Sequence, residues 1–392
     1  MTQNINYSLA STTWGEEEFS AIKRVVDSRN FTMGKEVQAL EFEFAQQFKS
    51  KYCVMVNSGS SANLIMVGAL MYRKHNQLLP GDEVIVPAVS WPTTYYPLYQ
   101  YGLKLRFVDI DLETLNFDLV ALEKAITPQT RAIMCVNLLG NPNDFSRILK
   151  IISDRNIILL EDNCESMGAS MGEKLAGTFG LMGTFSSFFS HHISTMEGGF
   201  VVTDDEEMYH ILLCLRAHGW TRNLPKHNHV CGTKSDDAFE ESFRFVLPGY
   251  NVRPIEMEAA IGREQIKKLN SFIKTRRENA KEFIQQFNKN LAFIFQKEIG
   301  SSSWFGFSMI IKPESSLSRS DVVSVFNKYG IECRPIVGGN FVKNPVVKLF
   351  NHDVPFPLLN ADYLDRCGLF VGNHHYNMSS EFKILKKAFF DL

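Results

Sequence analysis

Apolar residues recur along this chain at two spacings, and the change from one to the other maps its organisation. Over Glu16–Ser28 they fall at every third or fourth position, with Phe19, Ile22, Val25 and Val26 on one face. The same spacing returns over 37–48 after a break at Gly34. Both stretches predict amphipathic helices. Beyond them, short apolar runs at Tyr52–Val56, Glu83–Pro87, 105–109, 132–138 and 157–160 have the length and composition of buried strands. Between these runs, 60–71, 91–101, Leu119–Ala125 and 146–154 read as helices. Such alternation predicts an α/β fold, a mostly parallel sheet with helices on both faces.

Two further β-prone runs, 185–189 and 200–203, flank a polar loop holding His191, His192 and the turn Glu197-Gly198-Gly199. A helix over Glu206–Arg216 follows, then a polar stretch, 221–242, that reads as a surface loop. After Gly249-Tyr250-Asn251 a helical pattern fills at least 255–279. The remainder, with a strand at 305–311, a helix at 319–328 and a strand at 331–335, suits a small α+β unit. The expected division is a large domain over 1–254 and a small C-terminal domain over 255–392, joined by the long helix.

Composition narrows the function classes. The 392 residues allow two domains of ordinary size, and 45% apolar with 21% charged residues is a globular balance. A net charge of −2 gives no electrostatic case for nucleic acid or an anionic membrane. No apolar run approaches the roughly 20 residues of a membrane helix, and the N-terminal stretch has no basic-then-apolar signal. The expected setting is the cytoplasm. Of the seven cysteines, no two are closer than Cys214 and Cys231, so a CxxC pair is excluded and buried, reduced thiols are expected.

Three places carry candidate chemistry. Asn57-Ser58-Gly59-Ser60-Ser61-Ala62-Asn63-Leu64 follows a strand and opens a helix. There Gly59 would let the backbone approach an anion, and the helix N-terminus would attract it. The same residues are also those of an ordinary N-cap. Trp91 ends a strand just before Pro92, where a core role and a ring-stacking role are both open. Asp162 ends the run in Ile158-Leu159-Leu160-Glu161-Asp162, at the end of a strand where α/β sheets collect ligands, and it could equally cap a helix.

These motifs together resemble the DegT/DnrJ/EryC1 sugar aminotransferases, pyridoxal phosphate enzymes of fold type I. That family's lysine hairpin reads roughly F-S-F-x-x-x-K-x-x-x-x-x-E/D-G-G. Here Phe185-Ser186 and Glu197-Gly198-Gly199 fall in register and His191 stands at the lysine position. No lysine occurs from Leu175 to Pro225. The family's N-S-G-T/S-x-A-L matches around Gly59, and its E-D-x-x-Q-x-x-G-A matches at Glu161, Asp162, Gly168 and Ala169, with Glu165 in place of Gln. The resemblance covers the chain from about Phe19 onward.

The resemblance implies a set of roles. Gly59, Ser60 and Ser186 would hold the cofactor phosphate, Trp91 would stack on its ring, and Asp162 would face the ring nitrogen. Glu165 would lie near the ring face. Asn251 would reach the phosphate of a neighbouring subunit's site, which implies a homodimer. His191 cannot bind the cofactor covalently, yet it can move protons, and His192 is its runner-up. A histidine there marks the family's sugar 3-dehydratases. One branch carries an iron–sulfur cluster on clustered cysteines, but 221–242 holds only Cys231, so no cluster and no metal are expected. The other branch implies a GDP-4-keto-6-deoxyhexose substrate and L-glutamate as the source of the pyridoxamine form. His218, Arg222 and Arg334, and also Arg216, are candidates for sugar or diphosphate contacts. Two alternatives stand beside this reading. One is an aminotransferase or CDP-sugar dehydratase of the same fold, and the other is a cofactor-binding homologue without catalysis.

Overall fold

The computed structural model describes residues 5–392, so the part of the N-terminal expectation that falls on residues 1–4 lies outside the described residues. Helices α1 (Glu16–Ser28) and α2 (Lys35–Phe48) lead into alternating β1 (Tyr52–Val56), α3 (Gly59–Leu70), β2 (Glu83–Pro87), α4 (Pro92–Gln100) and β3 (Lys104–Val108). The alternation continues through α5 (Leu119–Ala125), β4 (Thr130–Val136), α6 (Phe145–Ile152) and β5 (Ile158–Asp162). The hairpin strands β6 (Met182–Ser186) and β7 (Gly199–Thr203) precede α7 (Glu206–Arg216). Each central strand is buried along nearly its whole length, as a sheet covered on both faces requires.

The large sheet has eight strands in the order β1-β7-β6-β5-β4-β2-β3 and then His352–Asp353. The pairs β1/β7 and β6/β7 are antiparallel, and the other pairs are parallel. The edge strand His352–Asp353 comes from the C-terminal part of the chain, and no sequence signal announced it. A second sheet of four antiparallel strands, Phe293–Phe295, Gly306–Ile311, Gly368–Gly372 and Cys333–Arg334, belongs to a smaller C-terminal α+β lobe. Helices α10 (Arg319–Tyr329), α11 (Leu359–Cys367) and α12 (Ser379–Phe390) complete that lobe, after the short α8 (Ala238–Ser242) and the long α9 (Glu256–Phe287).

The 32-residue α9 serves both lobes. Its N-terminal and middle turns, with Ala259, Ile266, Leu269 and Ile273, pack in one core with α2 and the hairpin. Its last turns place Phe283 and Phe287 in the core of the small lobe. Tyr7 joins that same small-lobe core, pairs in parallel with Ile331, and donates its hydroxyl to the Gly372 carbonyl at 2.6 Å.

Three local expectations need correction. The strand expected over 185–189 ends at Ser186, and Phe188 and Phe189 are half exposed beyond it, because the hairpin opens there into the loop. On α1 the buried face is Ala21 and Val25, while Phe19 and Val26 face outward. The loop expected over 221–242 contains a two-stranded ribbon, His227–Asn228 with Gly232–Thr233, and the helix α8. Its exposed polar residues gave no period to read.

Candidate functional site

A cavity of about 650 Å³ lies where the C-terminal ends of the parallel strands meet the hairpin loop and the small lobe. Its walls come from segments far apart in sequence, among them the start of α3, the start of α4, the end of β5, the hairpin, and the segments around Phe305 and Arg334.

At the start of α3, Ser58 caps the helix by accepting the Ser61 N–H at 3.1 Å, and the first-turn N–H groups stay free of intrahelical bonds. Gly59 is required there for lack of room. A Cβ on it would sit 2.7 Å from Cβ of Ser186 and 3.0 Å from Sγ of Cys164. The helix N-terminus, Ser60 and Ser186 therefore share one corner, the chemistry of an anion site.

Asp162, at the end of β5, is buried and receives three donors. These are Nδ2 of Asn63 at 2.8 Å, Oγ1 of Thr94 at 2.7 Å and the Cys164 N–H at 3.2 Å. Asn63 and Thr94 were not singled out from the sequence. Their signal was helical spacing, since Asn63 is four residues after Gly59 and Thr94 three after Trp91. Trp91 caps α4 without a side-chain bond and is 58% exposed at the cavity wall. So large an apolar surface at a cavity mouth fits a planar partner and not a core residue. Glu165 also lines the cavity and accepts the Leu139 N–H at 3.1 Å. Burial pushes its carboxyl up to about 7, with the Leu139 N–H opposing and Asp162 adding to the rise.

The histidine loop is tightly tied. Gly198 has φ +155°, and a Cβ on it would meet Oγ of Ser187 and Oγ1 of Thr195, each at 2.4 Å. Those two hydroxyls bond each other at 2.6 Å across the base of the loop. At its far side the Ser194 N–H donates to Gln265 at 3.0 Å, and Nε1 of Trp14 donates to the Ser194 carbonyl at 2.9 Å. The two histidines then part. His191 lines the cavity, with its ring edge-on to Phe188 at 5.9 Å and to Phe305 at 5.2 Å. Burial, and after it the Arg276 guanidinium, lowers the imidazole to about 4, so it stands neutral. Its Nδ1 is buried without a hydrogen-bond partner among the described residues. His192 is fully buried outside the cavity lining and donates Nε2–H to the Ser303 carbonyl at 3.2 Å.

The structure thus brings together Gly59, Ser60, Trp91, Asp162, Glu165, Ser186, His191 and Arg334. Asn251, His218 and Arg222 do not line this chain's cavity. Asn251 is exposed and accepts from Nε of Arg253 at 3.0 Å, and Arg222 lies over the Trp220 ring at 4.3 Å, beside His218. Arg216 is buried, bound to Glu41 and to the Met55 carbonyl, which removes it from the ligand candidates. Phe305 and Leu9 were missed, since each reaches the wall by tertiary packing alone.

A cradle that a methyl group would fill, a carboxylate facing three donors, an exposed indole and an imidazole with an orphan nitrogen together fit a planar, phosphorylated pyridine. The comparisons agree. Residues 12–367 match the DegT/DnrJ/EryC1/StrS aminotransferase family. The chain is 62% identical over 385 residues to the GDP-4-keto-6-deoxy-D-mannose 3-dehydratase of Escherichia coli O55:H7, covering 98% of this chain and 99% of that one. It superposes at a TM-score of 0.97, with 61% identity, on a crystal structure of a GDP-4-keto-6-deoxymannose-3-dehydratase variant with bound GDP-perosamine, covering 98% and 100% of the two chains. The same score, identity and coverage relate it to a structure of that enzyme with a trapped PLP-glutamate geminal diamine. The chain belongs to the DegT/DnrJ/EryC1/StrS aminotransferase family.

Proposed function

We propose that this chain removes the C3 hydroxyl of GDP-4-keto-6-deoxy-D-mannose, using L-glutamate and a non-covalently held pyridoxal or pyridoxamine phosphate. The products are GDP-4-keto-3,6-dideoxy-D-mannose, ammonia and 2-oxoglutarate, which makes the enzyme a hydro-lyase. The observation that carries this reading is the imidazole of His191 on the cavity wall, in a loop that holds no lysine. When bound, the cofactor would supply an amine derived from glutamate and a conjugated ring through which the electron pair of a broken C–H bond passes to expel the C3 oxygen.

The chain's own residues supply the rest. Gly59, Ser60 and Ser186 hold the phosphate at the α3 N-terminus. Asp162, fixed by Asn63 and Thr94, presents its carboxylate to the ring nitrogen, and Trp91 covers the ring face. His191, uncharged at neutral pH, would accept the proton released from the amine-bearing carbon of the cofactor and pass it to the departing C3 hydroxyl, which leaves as water, so one group serves as base and acid. Glu165, which also lines the pocket, carries a proton up to about pH 7 and offers it a donor. Arg334, the one guanidinium on the cavity wall among the described residues, meets an anionic part of the substrate.

Arg222 and Asn251 are exposed and His218 is half-buried, all outside this chain's cavity lining, and we assign them to the site of a second copy in a homodimer. The product belongs to the making of colitose for surface lipopolysaccharide O-antigen, a cytoplasmic process. No helix among the described residues is long and apolar enough to cross a membrane.

The deciding experiment incubates the protein with pyridoxal phosphate, L-glutamate and GDP-4-keto-6-deoxy-D-mannose, and reads the products by mass spectrometry. A sugar lacking its C3 oxygen, formed with ammonia and 2-oxoglutarate, is expected. A 4-amino sugar would overturn the proposal.

A further inference from the structure

The His191 imidazole takes its place from its backbone. Its Nδ1 is buried without a hydrogen-bond partner among the described residues, and its ring meets Phe188 and Phe305 only edge-on. On the N-terminal side of His191 the loop gives little hold, since Phe188 and Phe189 are 42% and 46% exposed. On the C-terminal side every residue from His192 to Thr195 is buried. His192 is bonded to the Ser303 carbonyl, and Ile193 enters the core shared with α2 and α9.

Ser194 is gripped from outside the hairpin at both of its main-chain polar groups. Its N–H donates to Oε1 of Gln265 in α9 at 3.0 Å, and its carbonyl accepts Nε1–H of Trp14 at 2.9 Å. Gln265 is fully buried with both amide atoms engaged. Oε1 also accepts Oγ1–H of Thr13 at 2.6 Å, while Nε2 donates to the Thr13 carbonyl at 3.1 Å and to Glu18 at 2.7 Å. Turning that amide over would set a donor against the Ser194 N–H and an acceptor against Glu18, so its orientation is fixed. Trp14 stands just ahead of α1, its ring edge-on to Phe19 at 5.9 Å. The hairpin's own bonds, between strands and between the Ser187 and Thr195 hydroxyls, close only its base. Two elements remote in sequence therefore converge on one residue, three positions after the imidazole.

We propose that Trp14 is a positioning residue for the reaction: by holding the Ser194 carbonyl it fixes the backbone that aims the His191 imidazole into the cavity. The proposal rests on the reading of His191 as the proton-moving group. Passing a proton between two atoms of a bound substrate requires the ring to be placed to within about 0.5 Å. A ring without a hydrogen-bonded partner of its own inherits that precision from its main chain.

The test compares three variants with the wild type in two measurements. Trp14→Phe keeps an aromatic ring beside Phe19 and drops the N–H. Thr13→Val keeps the shape and drops the hydroxyl that seats Gln265. Tyr363→Phe is the control, removing a comparable bond, hydroxyl to the Ile311 carbonyl at 2.7 Å, away from the cavity lining. The first measurement is amide hydrogen exchange of the cofactor-free proteins, read by mass spectrometry over residues 188–197. Trp14→Phe and Thr13→Val should speed exchange there about threefold to tenfold, and Tyr363→Phe should not. The second is steady-state dehydration of the GDP-sugar. In Trp14→Phe kcat should fall at least about tenfold, with KM for the sugar within about twofold and the cofactor absorbance unchanged. Unchanged exchange or unchanged kcat in Trp14→Phe, or equal effects in Tyr363→Phe, would each overturn the proposal. Should Trp14→Phe not fold, Thr13→Val carries both measurements with the same expected results. A wild type that does not dehydrate would sink the functional reading, whereas the exchange comparison decides by itself whether Trp14 holds the loop.

Discussion

A lysine at position 191 would attach the cofactor covalently, which an imidazole cannot do. His191→Lys is therefore expected to change the absorbance of the cofactor-loaded protein and to lose 3-dehydration by at least about 10²-fold. A lysine variant that is active and spectrally unchanged would remove His191 from its role. Glu165 makes a prediction of another kind. Its carboxyl has an ordinary value of 4.5 and is raised to about 7 in the fold. Between those limits the folded chain holds a proton that the unfolded chain releases. Its contribution to stability is therefore complete below pH 4.5 and declines as the pH rises through 7. Glu165→Gln removes that decline. The cofactor-free variant should match the wild type near pH 4 and melt a few degrees higher above pH 7, read by calorimetry. At this scale the sequence was most legible where a residue sits inside a contiguous motif, as Gly59, Asp162 and His191 do. Trp14 and Phe305 were not legible, because their meaning arises only when the N-terminal segment and the small lobe close on the hairpin loop.

Among the elements, the start of α9 shows how a loop and two helices are fixed by one side chain. The buried Glu256 accepts the N–H groups of Gly34, Glu36 and Val37 at 2.7, 2.9 and 3.1 Å, so it caps α2 from another helix. Glu256→Ala strands three donors, two of them buried, and should cost about 2–3 kcal/mol, measured by urea unfolding. A loss below about 1 kcal/mol would show that α2 finds other partners. Gly59→Ala addresses the α3 corner. The 2.7 Å approach to Ser186 forces the helix start and the hairpin apart, so cofactor affinity should fall at least about tenfold in an absorbance titration while the fold persists. Strand and helix positions were readable to within a few residues, because a sheet buried on both faces writes itself as apolar runs. The edge strand His352–Asp353 was not readable, since two half-exposed polar residues carry no pattern and take their pairing from β3.

For the whole molecule, the unshared residues set the prediction. If Asn251 serves a second copy's cavity, His191→Asn and Asn251→Asp protomers are each inactive alone. After mixing and reassembly they should recover about a quarter of wild-type activity, because half the dimers pair unlike protomers and each of those has one intact site. No recovery, with dimers shown to exchange, would place Asn251 outside the site. The two-lobe plan was legible from the switch to a long helical pattern after Asn251. Return of the chain's beginning to its end was not, because Tyr7 is a lone aromatic in a stretch without period.

That return has a consequence in time. Tyr7 pairs with Ile331 and is buried among Phe283, Phe307 and Phe382, all of which leave the ribosome long after it does. At about 5–20 residues per second, the intervening chain takes on the order of tens of seconds to be made. Through that interval the residues that will line one wall of the cavity, Leu9 among them, have no surface to dock on. The histidine loop likewise waits for Gln265. The catalytic centre is therefore among the last parts of the nascent chain to become defined, and a ribosome-stalled fragment ending before Gln265 should have the central strands but no ordered place for its imidazole.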